Sequence, residues 1–217
     1  MKIGILGTGM VGQTMGDKFV QLGHEVYMGS RNRNSDKAAE WSSRNEGKSF
    51  HGEFSQAAAF GEIIFHCVKG ESALAALEMT GSEALEGKTL VDVSNPLDFS
   101  RGMPPSLLVC NTDSLGEQIQ KQLPNTSVIK AFNTLTAELM VNPGNLPGDH
   151  DLFICGNDKA AKDRLTAFCK NELGWKSIID LGGIESARGM EMVLPLWVNL
   201  YMNFQSGIFN FKIVRQE

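Results

Sequence analysis

The chain has 217 residues, of which 42% are hydrophobic and 21% charged, and a net charge of −5 at pH 7. At about 150 residues per domain this length holds one large domain and little more, and it can bury roughly 70% of its unfolded surface without disulfides or metal. The balance excludes a disordered chain, a collagen or a coiled coil, and the acidic charge argues against a nucleic-acid binder.

In chain order, Lys2–Leu6 is a short apolar run bounded by Gly7, as a buried strand would be. Val11, Met15, Phe19 and Leu22 then recur at helical spacing, with Gly23 as the stop. Glu25–Met28 reads as a second strand, Lys37–Arg44 as a helix capped by Ser35 and Asp36, and Phe50 as part of a brief extended piece. Ser55–Phe60 is a short helix, Ile63–Val68 a strand, Glu71–Met79 a helix and Thr89–Val93 a strand. Leu97–Pro105 reads as loop, and Ser106–Cys110 as a short strand or extended loop. Ser114–Leu123 is helical, Ser127–Phe132 a strand, and Asn142–His150 a surface loop rich in Gly, Pro and Asn. Leu152–Cys155 is a strand, Lys159–Leu173 a helix stopped by Gly174, and Ser177–Leu181 a last strand, after which Glu185 onward turns helical.

Strands alternating with helices predict an α/β, Rossmann-type doubly wound sheet, mostly parallel, over residues 1–181, with a helical segment over 182–217. The strands are continuous apolar runs, as strands covered on both faces are. Cys67, Cys110, Cys155 and Cys169 form no C-x-x-C pair, and the four histidines are scattered, so no metal site is expected. This usage suits a reducing compartment, and a cytoplasmic location is the expectation. The first apolar run is too short for a signal-peptide core. The longest apolar stretch, Met192–Met202, is interrupted by Pro195 and Asn199 and reads as a buried helix, not a membrane span.

The sharpest signal is Gly7-Thr8-Gly9-Met10-Val11-Gly12, a G-x-G-x-x-G that follows a strand and opens a helix. Gly7 permits the tight turn, Gly9 clears the approach of a pyrophosphate, and Gly12 lets helix and strand pack closely. The helix N-terminus offers free N–H groups to phosphate. NAD-binding versions end the second strand with an acid that holds the ribose 2′-hydroxyl. Here that position reads Gly29-Ser30-Arg31-Asn32-Arg33. Ser30 can donate to a 2′-phosphate, Arg31 can pair with it and stack on adenine, and Arg33 and Lys37 add charge. NADP(H) is therefore the expected cofactor. Cys67-Val68-Lys69-Gly70 and Ser94-Asn95-Pro96 end two further strands and should face it, because ligands of open parallel sheets bind at strand carboxyl ends.

The segments Ile3–Gly9 and Gly29-Ser30-Arg31 together resemble the NADPH-dependent coenzyme F420 oxidoreductases. The resemblance continues through Ala131-Phe132-Asn133-Thr134, Cys155-Gly156-Asn157-Asp158, Ala187-Arg188-Gly189-Met190-Glu191, Leu194-Pro195-Leu196 and Phe211-Lys212-Ile213. The chain is also similar to the cytosolic NADPH domain of six-transmembrane ferric reductases. The resemblance implies hydride transfer between NADP(H) and a deazaflavin. It implies Thr8, Ser30, Arg31 and Lys37 at the 2′-phosphate, Met10 and Val11 at the pyrophosphate turn, and Ser94-Asn95-Pro96 with Phe132-Asn133 near the nicotinamide. Two departures border the acceptor: Asn133 stands where these enzymes commonly carry His, and Lys69-Gly70 where they often carry a Pro-Trp pair. The acceptor is therefore F420 or a flavin. Flavin-mediated ferric or quinone reduction, or an NADP(H) sensor without turnover, are the alternatives.

No nucleophile–base constellation is evident, and hydride transfer needs none, since the cofactor carries the chemistry. His66 and Cys67 read as a satisfied core histidine and a small buried residue, whereas Asn133 can hydrogen-bond the carboxamide or the acceptor. Met192–Phe204 is apolar almost all round and must be buried, which suggests a homodimer with this helix at the interface and beside the acceptor.

Overall fold

The computed structural model describes residues 1–45 and 47–216; residue 217, the last of the expected C-terminal segment, lies outside them. Among the described residues ten strands form: β1 (Lys2–Leu6), β2 (Glu25–Ser30), β3 (Ser49–Glu53), β4 (Ile63–His66), β5 (Thr89–Asp92), β6 (Leu97–Asp98), β7 (Ser106–Leu107), β8 (Ser127–Ala131), β9 (Asp151–Gly156) and β10 (Ser177–Asp180). The α-helices are α1 (Met10–Gln21), α2 (Asp36–Arg44), α3 (Phe54–Phe60), α4 (Ala73–Thr80), α5 (Leu115–Gln122), α6 (Ala137–Val141), α7 (Lys159–Phe168), α8 (Ala187–Met192) and α9 (Leu194–Phe204). Eight strands make one sheet of order β10-β9-β8-β5-β4-β1-β2-β3.

Successive residues of each strand point to opposite faces, and both faces are apolar. Ile3, Ile5, Phe65, Val91 and Ile129 join one core with Met15 and Phe19 of α1 and Leu165 and Phe168 of α7. Leu6, Ile64, Leu90 and Val128 join the other with Ala57 of α3, Leu77 of α4 and Ile119 of α5. A Cβ on Gly4 would stand 2.4 Å from the Ala57 carbonyl oxygen, so α3 lies directly on β1 only because that position is glycine.

The first six strands of the sheet are parallel, but β9 pairs antiparallel with β8, and β10 runs parallel to β9. Simple alternation of strands and helices would have kept them all parallel. The reason is the link between β8 and β9. Its only α-helix, α6, has five residues, about 7.5 Å of rise, too short to recross a strand of about 17 Å. The chain therefore turns back at the same edge. The ten-residue α7, extended by a π-helical turn over Cys169–Leu173, does recross.

Two other expectations change. Part of the Leu97–Pro105 loop is β6, which pairs antiparallel with β7 in a small ribbon. The C-terminal helix breaks at Val193 into α8 and α9. Ile184, Ala187 and Met190 belong to the second core. α9 buries Leu194 and Val198 but leaves Leu196, Tyr201, Met202 and Phe204 exposed.

Beyond α9 the chain docks on the start of β9. Phe211 O accepts from Asp151 N (2.9 Å), and the buried Asp151 carboxylate accepts from Ile213 N (2.6 Å), Ser177 Oγ (2.5 Å) and Lys212 Nζ (3.2 Å). Burial opposes that charge, but the bonds from Ile213, Ser177 and Lys212 outweigh it and hold the carboxyl below its ordinary range. A depressed carboxylate contributes stability above its unfolded pKa and loses it as pH falls through the folded value. Asp151→Asn should therefore release the tail at neutral pH. Hydrogen exchange at the Ile213 amide should quicken by about tenfold, the scale of one charge-assisted hydrogen bond.

Candidate active site

The turn from β1 into α1 is shaped by its glycines. Gly7 has φ +122°, and a Cβ there would stand 2.8 Å from the Cys67 carbonyl oxygen. A Cβ on Gly12 would stand 2.2 Å from Gly7 O. Gly9, the N-cap, is the opposite case: a Cβ there would meet nothing within 4 Å. No side chain caps α1, and its first turn carries no acid. The orphan N–H groups of the helix start thus face an open cradle that a side chain at position 9 would fill. That combination fits a pyrophosphate.

At the end of β2, Ser30 is buried, and its hydroxyl donates to the carbonyls of Asn32 and, at 3.4 Å, Gly52. It fixes the loop that carries Arg31 and Arg33. Both arginines and Lys37 are exposed, and among the described residues none of the three is in a salt bridge. Lys37 also lines a cavity of about 480 Å³ with Thr8, Gly9, Met10, Gln13 and Arg44, and with the carboxylates Asp17 and Glu40. Sequence reasoning missed Gln13 and Arg44, which are joined by a 3.0 Å hydrogen bond between α1 and α2. Arg31→Ala should weaken NADPH binding about tenfold to a hundredfold, the worth of a charge-assisted bond, and leave NADH binding unchanged. Fluorescence titration of both cofactors would measure the ratio.

A second cleft, about 250 Å³, opens at the carboxyl ends of β4 and β5. The expected residues Val11, Cys67, Val68, Lys69, Ser94 and Asn95 line it, joined by Gly70, Glu71, Val93, Leu97 and Phe99. Gly70 is required because a Cβ there would stand 2.0 Å from Asn95 O and 3.0 Å from Pro96 Cα. The Cys67 thiol lies 3.8 Å from the Met15 sulfur, and burial pushes its pKa well up.

Phe132 and Asn133 sit at the end of β8. The Phe132 side chain packs in the first core while its backbone takes φ +64°. That left-handed step is uncommon outside glycine and turns the chain sharply into Asn133. Asn133 Nδ2 donates to Asn95 Oδ1 (3.0 Å) and Met190 O (2.8 Å), and Asn95 Nδ2 donates back to Asn133 O (2.8 Å). Asn133 reaches the site through Asn95; neither Phe132 nor Asn133 lines the cleft.

Behind this wall lies a charged cluster that sequence reasoning did not single out. Lys130 Nζ bonds Asp92 Oδ2 (2.8 Å), Glu191 Oε1 (2.8 Å) and Ser94 O (2.6 Å). Asp92 Oδ1 also meets His66 Nδ1 (3.1 Å), Ser94 Oγ (2.6 Å) and Ser94 N (3.1 Å). Glu191 accepts from Leu115 N (2.8 Å) and Gly116 N (3.0 Å) at the start of α5. Burial disfavours both charges, but Lys130 and His66 hold Asp92 well below the carboxylate range, and Asp92 and Glu191 raise Lys130. The signal was present: Lys130 and Asp92 are charged residues inside apolar strand runs, and a buried polar group is the informative exception.

Over residues 2–96 the chain matches the family of NADP oxidoreductases, coenzyme F420-dependent. It is 30% identical to the F420-dependent NADP reductase of Methanothermobacter marburgensis over 219 residues, covering 97% of this chain and 96% of that protein. The chain belongs to this family. It is an NADP-dependent oxidoreductase with a Rossmann-type fold. A solved structure from Arthrobacter sp. FB24, assigned as an F420-dependent NADP reductase, superposes on this family member with a TM-score of 0.94 at 46% identity, covering 99% of this chain and 100% of that one. Rat metalloreductase STEAP3 is 31% identical over 202 residues, but the match spans only 38% of that protein.

Proposed function

We propose that this enzyme transfers hydride between NADPH and the planar ring of a deazaflavin such as F420, or of a flavin, in the cleft between the Cys67–Glu71 loop and the Ser94–Phe99 segment. The observation that carries this reading is the cleft itself. It begins beside the uncapped start of α1 and continues along an apolar wall of Val11, Val68, Val93, Leu97 and Phe99. Bound NADPH supplies the hydride. The protein's part is alignment, since reacting carbons must approach to about 3–3.5 Å, and positioning of this kind removes a large share of a barrier. A carbonyl substrate would want a proton donor beside the nicotinamide. The ionisable side chains lining the cleft are the Cys67 thiol, which is turned inward, and Lys69 and Glu71, which are exposed at the rim.

NADPH oxidation should be followed with F420, FMN, FAD, a quinone and a ferric chelate in turn. The expected result is turnover with F420 or a flavin. The STEAP3 similarity favours a second reading, ferric reduction, which requires added flavin because a hydride carries two electrons and ferric iron accepts one. NADPH binding without turnover on any acceptor would leave a sensor.

The family member is also read as a homodimer. The exposed Leu196, Tyr201, Met202 and Phe204 of α9 are the surface that a second copy of the chain would cover on this reading. Light scattering at micromolar concentration should give twice the mass of one chain, and a one-chain particle would sink the dimer.

A further inference from the structure

The buried cluster around Lys130 closes a ring. Lys130 holds Ser94 O; the next residue, Asn95, exchanges two hydrogen bonds with Asn133; Asn133 donates to Met190 O; and the next residue, Glu191, returns to Lys130. We propose that Lys130 is a positioning residue for the nicotinamide half of the cofactor, fixing the Ser94–Asn95 wall of the cleft relative to β8 and α8. The proposal rests on reading that cleft as the hydride-transfer site.

The geometry favours positioning over simple cohesion. An ammonium has three N–H donors, and here each meets an acceptor, Asp92 Oδ2, Ser94 O or Glu191 Oε1, at 2.6–2.8 Å. Those three directional bonds tie β8 to two segments at once: the end of β5, where Asp92 and Ser94 lie two residues apart, and α8. Glu191 extends the tie to α5 through the Leu115 and Gly116 N–H groups. Buried ion clusters are weak sources of stability, because apolar side chains of similar volume often do as well. Apolar side chains, however, carry no directional bonds. Two members of the ring, Ser94 and Asn95, line the cleft, so a shift of the ring is a shift of the site wall. Asp92 of β5, which also meets His66 of β4, completes the polar surroundings of Lys130.

The test compares two ligands, NADPH and 2′-phospho-ADP-ribose, which is the same molecule without its nicotinamide. Two variants are used. Lys130→Met/Glu191→Gln removes one charge of each sign, so the net charge of the cluster is kept. Glu191→Asp keeps every charge and draws the carboxylate back by one methylene. Each should leave the affinity for 2′-phospho-ADP-ribose within about twofold and weaken NADPH about tenfold, roughly one hydrogen-bonded contact by the usual conversion. Single-turnover hydride transfer from saturating NADPH should fall by a larger factor, and Glu191→Asp should be the milder variant. Equal weakening of both ligands, no change in either, or failure of both variants to fold would overturn the proposal and leave the cluster as scaffold. A wild-type protein that binds both ligands equally would instead sink the reading of the cleft.

Discussion

Gly9→Ala should abolish tight NADPH binding and leave the melting temperature unchanged. The two halves of this result have separate causes. The backbone at Gly9 is extended, with φ −77°, which any residue adopts. The added methyl would meet no protein atom within 4 Å, so the folded state gains no clash. The same methyl would occupy the space through which a pyrophosphate must approach the α1 N–H groups. Losing those charge-assisted bonds, at about 1.5–3 kcal/mol each, should cost at least tenfold to a hundredfold in affinity. Gly12→Ala provides the contrast. Its Cβ would stand 2.2 Å from Gly7 O, a backbone atom that cannot yield, so this variant should lose stability and binding together. Calorimetric titration and thermal melts of the two variants separate ligand clearance from helix–strand packing. A Gly9→Ala protein that binds NADPH like the wild type would remove the cradle.

Asp92→Asn should produce the largest loss of stability of any single substitution at this site. Four donors converge on the Asp92 carboxylate: His66, Lys130, and the backbone and hydroxyl of Ser94. An amide presents its own N–H groups to some of them and leaves the fully buried Lys130 with one carboxylate partner, Glu191. Breaking one side of a buried ion pair typically costs about 3–5 kcal/mol, or roughly 6–20 °C in Tm for a chain of this size. The pH dependence has a definite sign. The folded carboxyl lies below its ordinary range because Lys130 and His66 outweigh its burial. Its contribution is therefore complete above the unfolded pKa of about 4 and is lost as pH falls through the folded value. The gap between the wild-type and Asp92→Asn melting temperatures should be constant above about pH 4 and close as pH falls below it. A constant gap from acid to neutral pH would contradict the assignment.

What could be read in the sequence was what is local. The strand, turn and helix from Lys2 to Gln21 lie within one stretch of chain, and Gly12 is explained by a contact inside it, to Gly7 O. The ends of β4 and β5 were readable as site loops because strand direction alone places them. The direction of β9 was not readable, because it turns on the length of α6, and element boundaries are the weakest part of a pattern reading. The Lys130 cluster was hidden for another reason. His66, Asp92, Lys130 and Glu191 come from three strands and a helix, and only the folded sheet brings them together. α9 exposed the limit of periodicity: its apolar residues said that it wants cover, and the fold supplies cover for one side only.

The antiparallel turn into β9 also decides where the two ends of the polypeptide emerge. Met1 leads into the start of β1, at the sheet edge away from the cleft. Asp151 begins β9 at the opposite edge, and Phe211 and Ile213 are tied to it. A tag or partner domain joined ahead of Met1 would thus hang clear of the cofactor. One joined behind the docked tail would leave the molecule on the edge where the proposed hydride-transfer cleft opens, so on that proposal a fused electron carrier belongs on that side.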